Sequence, residues 1–211
     1  PTAVVLGCTA EGTIGAHREI ERVPSMSLLA ASVPGVEIRP FHLRQSHVEA
    51  AESADDWERL VGASPESHPV FLGFADPFSI AVLEVVERLN RKYPGSPLIG
   101  GIASGAHAPR QNRLILNGDI HQEGFVGAAL TGNLQVETVV SQGCRPIGQP
   151  FVITRGERNV IHELGGKPAL ERLHETYTSL GPDDEALARQ SLFVGRLIDE
   201  YWTEEWETVV A

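Results

Sequence analysis

The chain has 211 residues, of which 42% are hydrophobic and 21% are charged. A chain of this length and composition can bury a core in one large domain or in two small ones, which excludes a disordered protein. Lys and Arg number 17 against 28 Asp and Glu, and the net charge of −11 disfavours binding to nucleic acid or to an anionic membrane surface.

The cysteine content favours a reducing compartment. Cys8 and Cys144 are the two cysteines, fewer than a disulfide-stabilised secreted domain usually carries, so we expect a cytoplasmic protein. No apolar run is long enough to span a bilayer, and we expect no membrane insertion. The chain opens at Pro1 without a methionine and enters a strand-like run almost at once, so we expect that one or more N-terminal strands are missing.

Apolar runs between turn residues predict most of the elements in the first third of the chain. Strands are expected over residues 3–6, 26–32 and 36–43, a short helix over 55–61 and a buried strand over 70–74.

The next helix has the clearest signals. Asp76 is predicted to cap it and Pro77 to occupy its first turn. Its apolar side chains fall on one face, which we expect to cover a sheet: Val82, Val85, Val86 and Leu89.

The middle of the chain is predicted to form strands with short connections. Residues 98–102 form one strand, and residues 113–116 form another that ends in a tight Asn-Gly turn. Strands over 125–130 and 134–140 are joined by the turn at 131–133. Because such short connections require antiparallel pairing, a doubly wound nucleotide-binding fold is excluded for this region. The prediction is an α+β fold, mainly antiparallel sheet with helices packed on the faces, followed by a smaller second α/β unit.

A domain boundary is predicted near residues 141–150, which divides the chain into domains 1–143 and 144–211. In the second domain we expect a hairpin from residues 151–154 and 158–164, and a helix over 168–177. The inward side chains of that helix are predicted to be Leu170, Leu173 and Tyr177. A further helix is expected to begin at the acidic residues 183–185, with a strand over 192–198.

Residues 7–12 (Gly-Cys-Thr-Ala-Glu-Gly) space their glycines like a phosphate loop. The nucleotide interpretation fails, because Thr13 and Ile14 stand where a lysine and a hydroxyl would have to reach phosphate and magnesium. Two interpretations remain, a purely structural turn and a ligand-binding loop whose contacts would come from Cys8, Thr9 and Gly12.

Residues 100–105 (Gly-Gly-Ile-Ala-Ser-Gly) form a second glycine loop after a strand. Their spacing is not the dinucleotide fingerprint, and Pro109 cuts short any helix that follows. Either the loop is a plain turn, or its amides and the Ser104 hydroxyl bind a ligand together with Gly101 and Gly105.

Residues 141–148 (Ser-Gln-Gly-Cys-Arg-Pro-Ile-Gly) form a third, proline-stiffened loop. Arg145 would suit a carboxylate or phosphate held by two hydrogen bonds, with Gln142 and Cys144 as further contacts, and we predict that Arg145→Ala weakens binding. A thiol next to a guanidinium is also what a nucleophile needs, but no histidine is spaced to serve as its base.

The eight histidines form no zinc motif, and we expect no metal site. His162 alternates with Val160 and Leu164 and is predicted to point into a core; a role as a haem ligand is the alternative. Asn159 follows a turn and either caps a backbone group or contacts a ligand.

The glycine loops at 7–12 and 100–105, the Cys-Arg-Pro loop at 141–148, and the segments 159–161 and 166–169 together resemble FIST proteins, the F-box and intracellular signal transduction family. The first two segments are similar to the amino-terminal FIST half, and the others to the start of the carboxy-terminal half.

The resemblance implies a non-catalytic sensory domain that binds a small ligand, for example an amino acid, and acts through a signalling protein partner. It also makes haem a possible cofactor. Two alternatives stay open: a thiol-dependent enzyme that uses Cys8 or Cys144, and a protein-interaction scaffold of the F-box-associated kind.

Overall fold

The computed structural model describes residues 3–15, 17–21, 23–139, 146–157, 160–189 and 192–195. The chain divides into two compact units, Pro1–Thr138 and Val139–Ala211. Five α-helices and twelve strands lie within the described residues, and most of the strand pairs are antiparallel. The predicted α+β fold class is confirmed.

The first unit is built on a four-stranded sheet. Its strands are β4 (Val36–Leu43), β9 (Phe125–Gly132), β5 (Val70–Ala75) and β6 (Leu98–Ile102), in that spatial order. Strand β9 is antiparallel to β4 and to β5, and β6 is parallel to β5. Therefore β4, β5 and β6 all run in one direction, and their carboxyl ends lie at the same edge of the sheet.

Three helices cover one face of this sheet: α1 (Gln45–Ala50), α2 (Ala54–Val61) and α3 (Val82–Lys92). The helix predicted over 55–61 is confirmed as α2, whose N-terminus is capped by Ser53. The core between helices and sheet is made of fully buried side chains, of which the largest are Trp57, Tyr93, Phe71, Leu43 and Leu89.

Two glycines make room for aromatic packing in this core. The rings of Phe41 and Phe125 stack with centroids 6.0 Å apart. A Cβ on Gly127 would lie 2.5 Å from the Phe41 ring, and one on Gly73 would lie 2.2 Å from the Phe125 ring. Any side chain at either glycine would therefore displace an aromatic ring.

The opposite face of the sheet packs against a three-stranded antiparallel sheet of β1 (Leu6–Cys8), β7 (Leu114–Leu116) and β8 (Asp119–His121). The predicted hairpin at the Asn-Gly turn is confirmed as β7 and β8. Alternation along β9 sends Phe125 to the helices and Val126 to this second, smaller core. Its other buried members are Ala103 and Leu114, with Leu6, Cys8, Phe74 and Leu116 packed around them.

The strand predicted over residues 26–32 is wrong. The chain forms instead an unpredicted hairpin, β2 (Gly12–Gly15) and β3 (Arg18–Glu21), and residues 23–33 have neither helix nor strand. Side chains of this segment contact the hairpin; for example, the Ser27 hydroxyl donates a hydrogen bond to the Ile14 carbonyl. Its apolar side chains are exposed, notably Met26, Leu28 and Leu29.

The strand predicted over 134–140 is also wrong for its described part, because residues 133–139 form no strand. The reason lies in the sheet order. Strand β9 is flanked by β4 on one side and by β5 on the other, so it offers no free edge to a strand that would fold back from the turn at 131–133.

The second unit contains an antiparallel hairpin of β10 (Ile153–Glu157) and β11 (Val160–Leu164), extended by the short β12 (Lys167–Pro168). Helix α4 (Ala169–Thr178) and helix α5 (Pro182–Ala188) follow. The predicted hairpin and both predicted helices are confirmed.

Side-chain orientation in the second unit departs from the sequence prediction. Leu170 and Leu173 are 79% and 40% exposed, so the prediction that both point inward is wrong. His162 is exposed rather than buried in a core. Residues 192–195 form no strand, and the rest of that predicted strand lies outside the described residues.

Candidate functional site

The common edge of β4, β5 and β6 collects polar side chains. Arg44 directly follows β4, Asp76 follows β5, and Ser104 comes two residues after β6. Ligands of open sheets with parallel strands characteristically bind at the carboxyl ends of those strands.

Asp76 is fully buried and does not cap a helix, so that prediction is wrong. Helix α3 begins at Val82, and Asp76 instead anchors the loop before it. Its carboxylate accepts hydrogen bonds from the Ser79 hydroxyl at 2.6 Å and from Asn112 Nδ2 at 3.0 Å. A buried carboxylate requires such partners, because burial removes its hydration.

Asn112 is also fully buried, and its amide group makes three hydrogen bonds within the described part of the chain. Nδ2 donates to Asp76 and, at 3.1 Å, to the carbonyl of Ala103, while Oδ1 accepts from the Thr9 hydroxyl at 3.3 Å. The Thr9 hydroxyl accepts in turn from the Arg113 amide at 3.0 Å. The Thr9 hydroxyl, predicted to contact a ligand, is therefore occupied by two internal partners.

The structure brings the first two glycine loops into direct contact. The amide of Gly105 donates to the Thr9 carbonyl at 3.3 Å, and the amide of Glu11 donates to the Ser104 hydroxyl at 3.1 Å. A Cβ on Gly105 would lie 2.7 Å from that of Thr9. No room for a ligand remains between Thr9 and Gly105. The Ser104 hydroxyl donates to no acceptor among the described residues.

The other predicted residues are dispersed. Gly12 lies in β2 against Glu21, and Gly101 lies on β6 with no atom near its open side. Cys8 is half-buried in β1, and burial raises the pKa of its thiol, the opposite of what a nucleophile needs. The remaining predicted site residues lie outside the described residues: Gln142, Cys144, Arg145 and Asn159.

An open cleft of about 200 Å³ lies at the same edge of the sheet. The guanidinium of Arg44 and the carboxylate of Glu123 stand 3.6 Å apart there, too far for a tight hydrogen-bonded pair. The Ser46 hydroxyl has no hydrogen-bond partner among the described residues. The lining residues are Arg44, Gln45, Ser46, Ser79, Glu123 and Gly124.

The turn at residues 121–124 forms the floor of the cleft. Three hydrogen bonds hold this turn to β4 and to the loop after β5. His42 Nε2 donates to the Glu123 carbonyl at 2.8 Å. The Gly124 amide donates to the Ser79 hydroxyl at 2.8 Å, and its carbonyl accepts from the Asp76 amide at 2.9 Å. Ser79 thus connects the cleft to the buried Asp76 and Asn112 network.

Sequence reasoning missed this cleft. Arg44 and Glu123 are far apart in the chain and belong to no recognisable motif, and the unpredicted helix α1 supplies Gln45 and Ser46. A signal was present, because polar residues follow two strands that run in the same direction. It could be used only once the strand order was known.

A second, larger groove of about 320 Å³ runs between β4 and α2. Both of its arginines have acidic partners, since Arg39 pairs with Glu37 and Arg59 pairs with Asp56. The groove lies away from the carboxyl ends of the strands, which makes it the weaker candidate.

Among the described residues, no group of three His, Cys, Asp or Glu side chains could hold a metal ion. Within the same part of the chain, no helix combines the length and the apolar character needed to cross a membrane.

Comparison with known proteins identifies the family. A family model of the FIST N domain matches residues 1–167. An uncharacterized protein of Mycobacterium tuberculosis H37Rv is 34% identical over 199 residues, which cover 94% of this chain and 50% of that protein. An uncharacterized protein of Mycobacterium bovis is 33% identical over 201 residues, covering 95% of this chain and again 50% of the relative.

The chain thus spans about half the length of the curated relatives it matches. No solved structure matches it. The predicted resemblance is confirmed, and the chain belongs to the FIST N domain family, a family of sensory domains in signal transduction.

Proposed function

We propose that this chain is a non-catalytic sensory domain that binds a small ligand in the cleft between Arg44 and Glu123. The observation that carries the proposal is the loosely paired guanidinium and carboxylate in an open cleft at the carboxyl ends of β4 and β5. Both side chains are about half exposed, so a ligand reaches them without opening the core.

The chemistry of the cleft favours a zwitterion such as a free amino acid. Arg44 presents a planar cation that binds a carboxylate through two hydrogen bonds. Glu123 presents an anion to an ammonium group, and the Ser46 hydroxyl adds a directional contact. A volume of about 200 Å³ suits a molecule of this size rather than a nucleotide.

The buried network gives such a sensor a route for its signal. Ser79 bonds to the Gly124 amide at the floor of the cleft, and Asp76 and Asn112 continue the hydrogen bonds to Thr9 beside β1. A ligand that moved Gly124 would disturb bonds that tie the two sheets of the first unit together. A partner protein inside the cell would then read the change on the surface.

The enzyme alternative has less support. Its candidate nucleophile in the described residues, Cys8, has a raised thiol pKa and lies in a strand packed on the smaller core. Cys144 lies outside the described residues, and catalysis by its thiol stays an untested alternative.

Native mass spectrometry tests the proposal. The wild-type protein should carry an excess mass of amino-acid size that is lost on denaturation, or should be stabilised in a thermal-shift screen by at least one of the common amino acids. Arg44→Ala should abolish either effect. Arg91→Ala removes an exposed arginine at the far end of α3 and should bind as the wild type does.

A further inference from the structure

We propose that the adjacent imidazoles of His42 and His121 form a pH-dependent latch, which holds the turn at 121–124 against the sheet edge and releases it in acid. The inference concerns the regulation of the proposed ligand cleft and so rests on the function proposed above. The contacts between the two histidines and the turn do not depend on a ligand.

The two rings lie close together on different elements. His42 is near the end of β4 and His121 is the last residue of β8, and their ring centroids are 4.0 Å apart with planes inclined by 32°. His42 Nε2 donates to the Glu123 carbonyl, a bond that survives whether the ring is neutral or charged. What changes on protonation of His42 is the cost of burying a charge there, together with repulsion from His121.

The surroundings of His42 oppose a positive charge on its ring. Arg44 lies directly beyond β4, and His47 on α1 accepts a hydrogen bond from the Arg44 amide. The Glu123 carboxylate is the opposing negative charge, but it faces Arg44. Burial lowers the pKa of His42, and His121, Arg44 and His47 lower it further, whereas the bond to the Glu123 carbonyl raises it.

The turn after His121 lies close against the end of β4. Gly124 has a φ of +92°, and a Cβ there would lie 2.1 Å from the Leu43 carbonyl, so only glycine allows this close approach. Moving His121 away from His42 would pull on Glu123 and Gly124. The bond from the Gly124 amide to Ser79, at the floor of the cleft, is the first expected to break.

The direction of the pH effect follows from linkage. Because the closed state holds the pKa of His42 below its ordinary value of 6.5, the open state binds protons more readily. The closed state is therefore fully favoured above about pH 6.5 and loses stability as the pH falls below that value.

Hydrogen exchange of the Gly124 amide, followed by NMR, tests the latch without a ligand. Its protection factor, corrected for intrinsic exchange, should fall several-fold between about pH 7.5 and pH 5, while that of Ala129 in β9 should not. His121→Gln should weaken this pH dependence, because it removes one of the groups that lower the pKa of His42, and should keep the amide protected. His107→Gln, at an exposed site, should leave the dependence intact.

A wild-type protection factor that stays constant over this pH range would overturn the latch, and this result needs no variant to fold. Full pH dependence in His121→Gln would overturn it too. A wild-type protein that binds none of the common amino acids at about pH 7.5, but whose Gly124 protection factor falls with pH as expected, would contradict the proposed function and support the latch.

Discussion

Asn112 Nδ2 donates to Asp76 Oδ1 over 3.0 Å between two fully buried side chains. The bond joins the loop after β5 to the residue just before Arg113 and β7, so it holds together two sheets that share no backbone ladder. It therefore ties the edge of the sheet below the cleft to the second sheet.

Asn112→Ala should therefore be strongly destabilising. The change removes one of the two side-chain donors of the Asp76 carboxylate and the acceptor of the Thr9 hydroxyl, and we expect a loss of about 3 kcal/mol in the free energy of unfolding. Chemical denaturation measures it, with the exposed neighbour Gln111→Ala as the control that should change stability by less than about 0.5 kcal/mol. Equal midpoints for the two variants would show that the network is dispensable.

Gly127→Ala should disrupt the aromatic core. Its Cβ would lie 2.5 Å from the Phe41 ring and 2.8 Å from the Phe125 ring, and such overpacking costs about 1 to 3 kcal/mol. Gly101→Ala is the matched control, since it adds the same methyl group to a strand where no atom lies within 4 Å. Thermal unfolding of both variants checks the prediction, which a Gly127→Ala protein as stable as Gly101→Ala would refute.

Ionisation of Tyr93 should make the protein less stable at alkaline pH. Its hydroxyl donates to the Ala63 carbonyl at 2.9 Å, and burial, together with the charges of Glu58 and Glu66, raises its pKa to about 12. Between the ordinary value of 10.0 and about 12, the unfolded chain releases this proton and the folded chain keeps it, so stability falls as the pH rises.

The difference in unfolding free energy between wild type and Tyr93→Phe isolates this effect, because other titrating groups cancel. The wild-type advantage at neutral pH, about 1 kcal/mol for the hydrogen bond, should shrink above about pH 10. A difference that does not change with pH would mean that the phenol ionises as easily in the folded protein.

Cys8 should be a slow thiol. In a Cys144→Ser protein, alkylation at about pH 7.5 should be at least about tenfold slower in the folded state than in denaturant, because burial raises the pKa and limits access. Labelling that is faster in the folded state would revive the thiol-enzyme alternative.

Periodicity and turn residues predicted individual elements well. The alternation in Val36–Leu43 and the apolar run at Val70–Ala75 are local signals, and both strands form where they were expected. The strand at 26–32 failed because a strand needs a partner edge, which no local pattern reveals. The prediction that Asp76 caps a helix was wrong for a similar reason, since its partner Asn112 comes from a distant loop.

The candidate site was predictable only in part. The glycine loops at 7–12 and 100–105 do meet, through the bonds of Thr9 and Ser104. The cleft at Arg44 depends on strand order, on the unpredicted helix α1 and on a turn that begins at His121. Arg145 stays the predicted anion contact of the third loop and awaits the Arg145→Ala experiment.

The most direct test of the account is the native mass of wild type, Arg44→Ala and Arg91→Ala proteins purified in parallel, each compared with its denatured mass. The account predicts an excess of amino-acid size on the wild type and on Arg91→Ala, and none on Arg44→Ala. Equal occupancy on Arg44→Ala would contradict it, as would a wild type that retains no mass and responds to none of the common amino acids in the thermal-shift screen.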